Sequence, residues 1–167
     1  MKKHTIESWG VRVSVAAVLT LFYFFWTHNR NITDLAVIFL LALIVAWGFV
    51  TPQTFPRLTP KRLAYSLVYI LYLFKEIIKA NLDVARRVIQ PRIPINPGIV
   101  EVRTRLKSPI GRMILANSIT LTPGTLSVDI KGDHLFIHWI DVTDIDEQKA
   151  TEKIVAGFEK YLEVIFG

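Results

Sequence analysis

The chain has 167 residues, of which 51% are hydrophobic and 20% are charged, and its net charge is +6 at pH 7. The hydrophobic share is high for a soluble domain, and the charged share is high for a chain that lies wholly in a membrane. Apolar and charged residues are therefore expected in separate segments. The sequence contains no cysteine, which excludes disulfides and thiolate metal sites.

The charges are distributed unevenly along the chain. Residues 1–50 carry a net charge of +2, residues 51–98 carry +6, and residues 99–167 carry −2. A basic segment beside apolar helices favours contact with anionic lipid headgroups, at about 1 kcal/mol per basic residue near the surface. Nucleic acid is the alternative partner, but the sequence has no basic–aromatic motif of an RNA- or DNA-binding module. We therefore expect a lipid bilayer and no nucleic acid as a partner.

The first apolar segment is uncharged over fourteen residues, 13–26, and Trp9 and Trp26 flank it as interfacial anchors do. A secretory signal peptide is the alternative interpretation of such a segment. The residues that follow, Thr27-His28-Asn29, offer no small-residue cleavage site. A membrane-spanning helix over about residues 9–28 is therefore predicted.

The second apolar segment follows after a short connection. It is uncharged over sixteen residues, 35–50, and its flanks extend it to about 20 residues, enough to cross roughly 30 Å of hydrocarbon. This pattern predicts a second span over about residues 32–51. The two spans are expected to form a transmembrane hairpin, in a domain that covers residues 1–60.

The loop charges predict the direction of this hairpin. Its tip carries Arg30 and Asp34, which cancel, whereas both of its open ends are basic. The basic residues at the open ends are Lys2, Lys3 and Arg12 near the N-terminus, and Arg57, Lys61 and Arg62 after the second span. By the positive-inside rule, the N-terminus and the C-terminal domain are expected on the cytoplasmic side. The stem of Arg12 is expected to reach the headgroups from within the first span.

A long amphipathic helix is predicted after a proline-rich break at residues 52–60. It runs from Lys61 to Gln90 and ends at Pro91. One face is apolar and contains Leu67, Leu71, Phe74, Ile78, Ala85 and Ile89; another begins with Tyr65, Tyr69 and Tyr72 and continues as charged residues. Tyrosines that pass into charges suit a helix in the headgroup plane. The alternative is a third, tilted span.

This helix and the proline-rich linker after it form the second predicted domain, residues 61–98. Seven of its basic residues are predicted membrane-surface contacts. They are Lys61, Arg62, Lys75, Lys79, Arg86, Arg87 and Arg92.

The third predicted domain, residues 99–167, is a small α+β domain of β-α-β-β-α order. Alternating residues predict a strand over 99–106, and Ser108-Pro109 predicts the start of a short helix that ends near Leu121. Gly132-Asp133 predicts a two-residue type II′ turn between two strands. A last helix follows, capped by Asp144 or Asp146, with a stripe of Ile154, Phe158, Leu162 and Ile165.

The expected hairpin register places one apolar face against this last helix. Its apolar pairs are Ile130–Leu135, Val128–Ile137 and Leu126–Trp139, and its opposite pairs are Lys131–His134, Asp129–Phe136 and Ser127–His138. A domain of about 70 residues is small for independent stability. It is therefore expected to be stabilised by packing against the membrane helices or against a partner.

The sequence offers little support for chemistry in this chain. The two predicted spans have no acidic residue, His or Lys in their interior, so no proton or cation relay is expected there. Ser127, Asp129 and His138 would lie close in the expected hairpin, but no nucleophile elbow accompanies them. His134 and His138 are four residues apart on a strand, roughly 13 Å, too far to share one ion. No catalytic residue, cofactor or metal is predicted.

The segment from Ser118 to Thr125 is more distinctive. Its residues Thr120, Leu121, Thr122, Pro123, Gly124 and Thr125 predict a helix end, a Pro-Gly turn and entry into the hairpin. The hydroxyls are available for free backbone groups, so a structural joint explains the pattern. A phosphate-binding loop would need more glycines.

Several motifs together resemble the E subunits of the Mrp/Mnh multisubunit sodium/proton antiporters. They are the two N-terminal apolar segments, Pro97-Gly98-Ile99, Ile119 to Thr125, and Ile137-His138 before Asp141. The resemblance covers essentially the whole chain. It implies an accessory subunit of a hetero-oligomeric antiporter in the bacterial plasma membrane, whose large subunits carry the ion and proton paths.

The residues and the resemblance lead to one interpretation, a membrane-anchored assembly subunit that is not an enzyme. Two alternatives from other classes stay open. One is a transporter formed by homo-oligomers of this chain, and the other is a membrane-tethered enzyme or ligand-binding domain.

Overall fold

The computed structural model describes residues 2–28, 31–50 and 59–167. The described residues divide into two compact units, with the boundary between Thr59 and Pro60. Most of the predicted proline-rich break, Arg57 and the predicted tip residue Arg30 lie outside the described residues.

The first unit consists of two apolar helices, as predicted. Helix α1 is Lys2–Thr27 and helix α2 is Ile32–Phe49. By length and composition, Trp9–Thr27 and Ile32–Phe49 are each long and apolar enough to cross a membrane. The Asn31 side chain caps α2 by accepting from the Thr33 amide at 3.1 Å.

Small residues line the contact between α1 and α2. Ala16 and Ala46 are fully buried there, and Ala42 is 7% exposed. Alanines let two helix backbones approach closely, which is how helices associate where water supplies no driving force. The hydroxyls of Ser14, Thr20 and Thr27 donate to carbonyls one turn earlier, which satisfies polar groups that lipid cannot.

Arg12 contacts α2 directly. Its guanidinium lies 4.5 Å from the centre of the Trp47 ring, and its Nε donates to the Val50 carbonyl at 3.3 Å. The negative end of the α2 dipole favours this cation. Trp9 packs edge-on against Trp47 with ring centres 4.7 Å apart. Arg12 therefore joins the two helices at the open end of the hairpin.

The second unit begins with the long helix and continues as an α+β fold. Its elements are α3 (Pro60–Val88), β1 (Gly98–Arg103), α4 (Pro109–Leu121), β2 (Thr125–Lys131), β3 (His134–Trp139), α5 (Glu147–Ile154) and α6 (Ala156–Phe166). Ser108 caps α4 and Asp146 caps α5 through their side-chain oxygens. The predicted last helix is thus two helices, which meet at Val155.

The three strands form an antiparallel sheet in the order β1-β3-β2. Gly132 has a φ of +64°, as a type II′ turn requires at its first central residue. The predicted pairs next to this turn are correct: Lys131–His134, Ile130–Leu135 and Asp129–Phe136.

A register shift between Ser127 and Asp129 changes the remaining pairs. Val128 is the extra residue of a bulge, so every pair beyond it moves by one position. The predicted pairs Val128–Ile137, Leu126–Trp139 and Ser127–His138 are therefore wrong. The observed pairs are Ser127–Ile137, Leu126–His138 and Thr125–Trp139.

One face of the sheet packs on helices to form the core of the second unit. Val102, Leu135 and Ile137 of the sheet are fully buried. The stripe predicted for the last helix is buried too, across both α5 and α6: Ile154, Phe158, Leu162 and Ile165.

The tyrosine face of α3 corrects one prediction. Tyr69 is only 7% exposed and bonds through its hydroxyl to Ser118, and Tyr72 packs on Phe158 and Tyr161 of α6. These tyrosines therefore face the core of the second unit and not the headgroup plane, because aromatic residues of α6 lie opposite them. For the same reason the structure groups α3 with the α+β fold, whereas the sequence pattern predicted a separate domain for it.

Candidate functional site

The segment from Thr120 to Thr125 links α4 to β2, and its hydroxyls bind the end of α4. Thr122 Oγ1 donates to the Ser118 carbonyl at 2.9 Å, and Thr125 Oγ1 donates to the Ile119 carbonyl at 2.7 Å. Thr120 Oγ1 accepts from the Ser127 amide at 3.1 Å. The last carbonyls of a helix have no partner within the helix, so these hydroxyls replace water there.

Gly124 occupies a position that favours glycine. Its φ is +96°, a region that side chains rarely adopt, and a Cβ there would lie 3.0 Å from a methyl carbon of Ile140. Its carbonyl accepts from the Ile140 amide at 2.8 Å. The turn therefore packs directly against the segment that follows β3.

The sheet register brings the separate family motifs together. Gly98 lies opposite Trp139 on one side, and Thr125 lies opposite Trp139 on the other. Pro97-Gly98 and the Thr120–Thr125 segment therefore end at the same row of the sheet. His138 lies in the next row and is exposed. Sequence spacing did not predict that these motifs lie side by side, because their proximity depends on the order of the strands in the sheet.

A cleft of about 260 Å³ opens beside this row. Thr122, Pro123, Gly124 and Thr125 form one wall, and α3 contributes charged side chains to the other. The other polar residues that line it are Glu76, Asp83, Arg87, Asp141, Thr143 and Lys153. The motif is thus part of a polar cleft as well as a turn.

Arg87 joins three segments at this cleft. Its Nε donates to Asp83 Oδ2 at 2.8 Å, and its Nη1 donates to Asp141 Oδ2 at 2.7 Å and to the Pro94 carbonyl at 2.8 Å. Hydrogen bonds to Asp83 and then Asp141 raise the pKa of Arg87 above its ordinary value. Arg87 is therefore bonded to three groups within the second unit, and its predicted contact with the membrane surface stays a prediction.

Two more charged side chains of the cleft have polar partners nearby. Lys153 Nζ donates to Thr143 Oγ1 at 2.9 Å, and Glu76 Oε2 lies 3.7 Å from Lys79 Nζ. The described ranges contain no group of three or more His, Cys, Asp or Glu side chains that could hold a metal ion.

The bulge also separates the residues of the hydrolase alternative. Ser127 lies opposite Ile137, and its Oγ donates to the Ala116 carbonyl at 2.9 Å. The expected cross-strand pairing of Ser127 with His138 is not formed.

A buried carboxylate has no counterpart among the sequence predictions. Glu159 is 3% exposed and accepts from Thr104 Oγ1 at 2.6 Å, from the Arg105 amide at 2.6 Å and from Arg105 Nε at 3.0 Å. Its hydrogen bond raises the pKa of Arg105. The partners are more than fifty residues away in the sequence, so spacing gave no signal for this network.

The remaining residues predicted to contact the membrane surface lie on or beside α3. Arg62 is half-buried and donates to the Gly167 carbonyl at 3.3 Å. The exposed ones are Lys61, Lys75, Lys79, Arg86 and Arg92. Their contact with lipid stays a prediction, as does any role of the motif residues beyond the geometry above.

Several known proteins with similar sequences are antiporter subunits. The family described as Na+/H+ ion antiporter subunit matches residues 16–165. The E1 subunit of the Na+/H+ antiporter of Staphylococcus saprophyticus is 32% identical over 156 residues, which cover 90% of this chain and 94% of that protein. The E subunit of the Na+/H+ antiporter of Alkalihalophilus pseudofirmus is 45% identical over 89 residues, 52% of this chain and 55% of that protein.

A solved structure is similar over nearly the whole chain. One chain of the membrane-bound sulfane sulfur reductase, an archaeal respiratory membrane complex, is 44% identical with a TM-score of 0.79. The match covers 94% of this chain and 99% of that chain. The resemblance drawn from the motifs is confirmed by the family match, which spans both units of the structure. The chain belongs to the family of Na+/H+ ion antiporter subunits.

Proposed function

We propose that this chain is an accessory subunit of a multisubunit sodium (or other monovalent cation)/proton antiporter and that it holds other subunits without carrying the ion path. The observation that supports this most directly is the outer surface of the first unit. Phe25, Ile44 and Phe49 are 69%, 68% and 82% exposed, and the spans have no charged residue between 13 and 26 or between 35 and 49. Such a surface suits helix–helix and lipid contact, and ion relays need ionisable groups at membrane depth.

A groove along α2 offers a place for a partner helix. It has a volume of about 440 Å³ and is lined by Leu43, Ile44, Trp47 and Gly48. A Cβ at Gly48 would meet nothing within 4 Å, so the space above this glycine is open. Glycine at a helix surface allows another helix to approach closely.

The open end of the hairpin and the second unit are assigned to the cytoplasmic side. The basic residues that flank the spans support this orientation, and so does the surplus of basic residues on α3. The subunit acts in a cell membrane. Its partners are the other subunits of the antiporter, and it contributes no catalytic residue of its own.

Co-purification tests the assembly proposal. A tag on the full chain should recover several other membrane subunits in a fixed ratio. Gly48→Leu should lower their recovery several-fold because it places a side chain in the α2 groove, where a Cβ has no neighbour within 4 Å. Gly10→Leu is the matched control, since a Cβ at Gly10 also meets nothing within 4 Å. Recovery of the wild-type chain alone would contradict the proposal.

Transport by the purified chain separates this proposal from the homo-oligomeric alternative. Liposomes that contain only this chain should show no sodium-driven proton flux. Flux at a rate comparable to that of the assembled complex would overturn the assignment of the ion path to other subunits.

A respiratory membrane complex is a second candidate for the host assembly. The similarity that favours it is the 44% identity to a chain of the sulfane sulfur reductase complex, over 94% of this chain. The identity of the co-purified subunits distinguishes the two hosts, because a respiratory complex brings redox-active subunits with it. The role of this chain as a non-catalytic membrane subunit is the same in both.

A further inference from the structure

Helix α3 presents a continuous apolar face that nothing in the described part of the second unit covers. Leu67, Leu71, Phe74, Ile78 and Leu82 are each between 58% and 71% exposed. They recur at spacings of three and four residues, so they lie on one side of the helix over about four turns. A patch of this kind on a domain surface marks a site of interaction.

The opposite side of α3 is held in place, so the apolar face cannot turn inward. Tyr69 bonds to Ser118, Tyr72 packs on α6, and Arg87 is clamped by Asp83 and Asp141. At about 100° per residue, Tyr69 and Arg87 both project roughly 160° away from Leu71.

Basic side chains line one edge of the apolar face. Lys75, Lys79 and Arg86 lie within about 80° of Leu71, all on the same side of the helix. They border a shallow groove of about 590 Å³ on the surface of α3. The acidic residues of this groove are Glu76 and Asp83; Glu76 faces Lys79, and Asp83 is bonded to Arg87. The groove edge therefore keeps a positive surplus.

The charges of α3 distinguish it from the two apolar helices of the first unit. Within the described part of the chain, only Trp9–Thr27 and Ile32–Phe49 are apolar enough to be candidate spans. An apolar face with a basic edge on a strongly charged helix is typical of a helix that lies in the plane of a membrane surface. In the sequence, only ten residues separate the end of α2 from the start of α3.

We propose that α3 lies on an anionic bilayer surface, with its apolar face among the upper acyl chains and Lys75, Lys79 and Arg86 among the headgroup phosphates. The second unit is then held at a fixed orientation against the membrane through Tyr69, Tyr72 and Arg87. This inference rests on the proposed function only in taking the first unit to be embedded in the membrane.

Site-specific labels test this placement, because the native chain has no cysteine. Leu71→Cys and Ile78→Cys, each carrying a polarity-sensitive fluorophore, are compared in the full chain reconstituted into vesicles with about one third anionic lipid. Lipids brominated near the headgroup should quench both labels strongly. Glu152→Cys, on the exposed surface of α5, is the control and should be quenched by aqueous iodide instead.

Two results with these labels would overturn the proposal. Iodide quenching at 71 and 78 equal to that at 152 would place α3 in water. Strongest quenching by lipids brominated at the bilayer centre would make α3 a span.

The assembled complex needs a separate measurement, since a partner subunit is the competing occupant. A photo-crosslinking amino acid at position 71 should form lipid adducts in native membranes, seen as a small increase in the mass of this chain. Adducts to another subunit would overturn the proposal even if co-purification, and with it the proposed function, holds.

The charge contribution has its own test. Substituting glutamine for Lys75, Lys79 and Arg86 should lower headgroup quenching at 71 by about twofold or more in anionic vesicles. The matched control substitutes glutamine for the exposed residues Lys107, Lys131 and Lys160 and should change it little. Equal losses in the two triple variants would show that the α3 edge has no special affinity for anionic lipid.

Discussion

The two units of the chain differ in which apolar residues they bury. In the first unit, Ala46 is fully buried while Phe49, three residues away, is 82% exposed, so small residues face inward and large apolar ones face outward. In the second unit, large apolar residues such as Leu135 and Leu162 are fully buried. The exterior of the first unit therefore suits a lipid environment, whereas the second unit has a hydrophobic core of its own.

Polar groups follow the same division. In the first unit, Ser14, Thr20 and Thr27 bond within their own helix. In the second unit, Glu159 bonds to residues from a distant part of the chain. No buried side-chain polar atom among the described residues lacks a partner. The exposed face of α3 is where the second unit resembles the first, which is why lipid is the occupant we propose.

The strongest way to test this division is to break the buried network of the second unit. Glu159→Ala leaves Thr104 Oγ1 and the Arg105 amide without their acceptor, and should reduce the stability of this unit by about 2–5 kcal/mol. Hydrogen exchange of the β1 and β3 amides, in the full chain in detergent, measures it.

Glu163→Ala is the matched control for that network. Glu163 lies 3.2 Å from the same Arg105 but is 39% exposed, so its loss should cost about 1 kcal/mol or less. The α1 and α2 amides should exchange as before in both variants. Similar losses in the two variants would contradict the importance of burial at Glu159.

The turn at Gly124 should give the next largest effect. Gly124→Ala combines an unfavourable φ with a close contact to Ile140, and should destabilise the second unit by about 2–3 kcal/mol. Gly132→Ala has a positive φ but open space around its Cβ, so about 1 kcal/mol is expected. Denaturant unfolding of the full chain compares them. An equal effect would mean that the contact with Ile140 relaxes.

Arg87 tests how firmly α3 is joined to the sheet. Arg87→Lys loses the fork that serves Asp83, Asp141 and Pro94 together, and a cost of about 1–2 kcal/mol is expected. The Val142 amide, which donates to the Asn96 carbonyl at 2.8 Å nearby, should exchange faster. The exposed neighbour Arg86→Lys should leave that exchange unchanged, and faster exchange in both variants would argue against the clamp.

The sequence predicted the elements better than their contacts. Periodicity located the two apolar helices, and the local signals Ser108-Pro109 and Gly132-Asp133 located a helix start and a turn. These features depend on neighbouring residues. The bulge at Val128 was missed because nothing in the residue types of β2 marks an extra residue there, and it moved Ser127 away from His138.

The candidate site was predicted in parts. The sequence predicts the Thr120–Thr125 segment as a structural joint. It does not predict the cleft beside this segment, because residues of α3 and of the end of β3 also line the cleft. Asp83 and Arg87 are one turn apart and could have been paired from sequence, whereas Asp141 is 54 residues from Arg87. The tyrosines of α3 were placed at the membrane because their spacing identifies a face and not what that face meets.

The smallest expected effect is a pH dependence at the start of α5. The Asp146 amide donates to Asp144 at 3.1 Å, and Lys149 lies 3.1 Å away, so this hydrogen bond and then Lys149 lower the pKa of Asp144. A carboxylate with a lowered pKa contributes stability that is present above its ordinary pKa and is lost as the pH falls through the lowered one. Asp144→Asn should therefore be slightly less stable than wild type at neutral pH, and the difference should shrink below about pH 4. Thermal unfolding of both chains across that range measures it; a difference that stays constant with pH would show that the charge of Asp144 does not stabilise the folded chain.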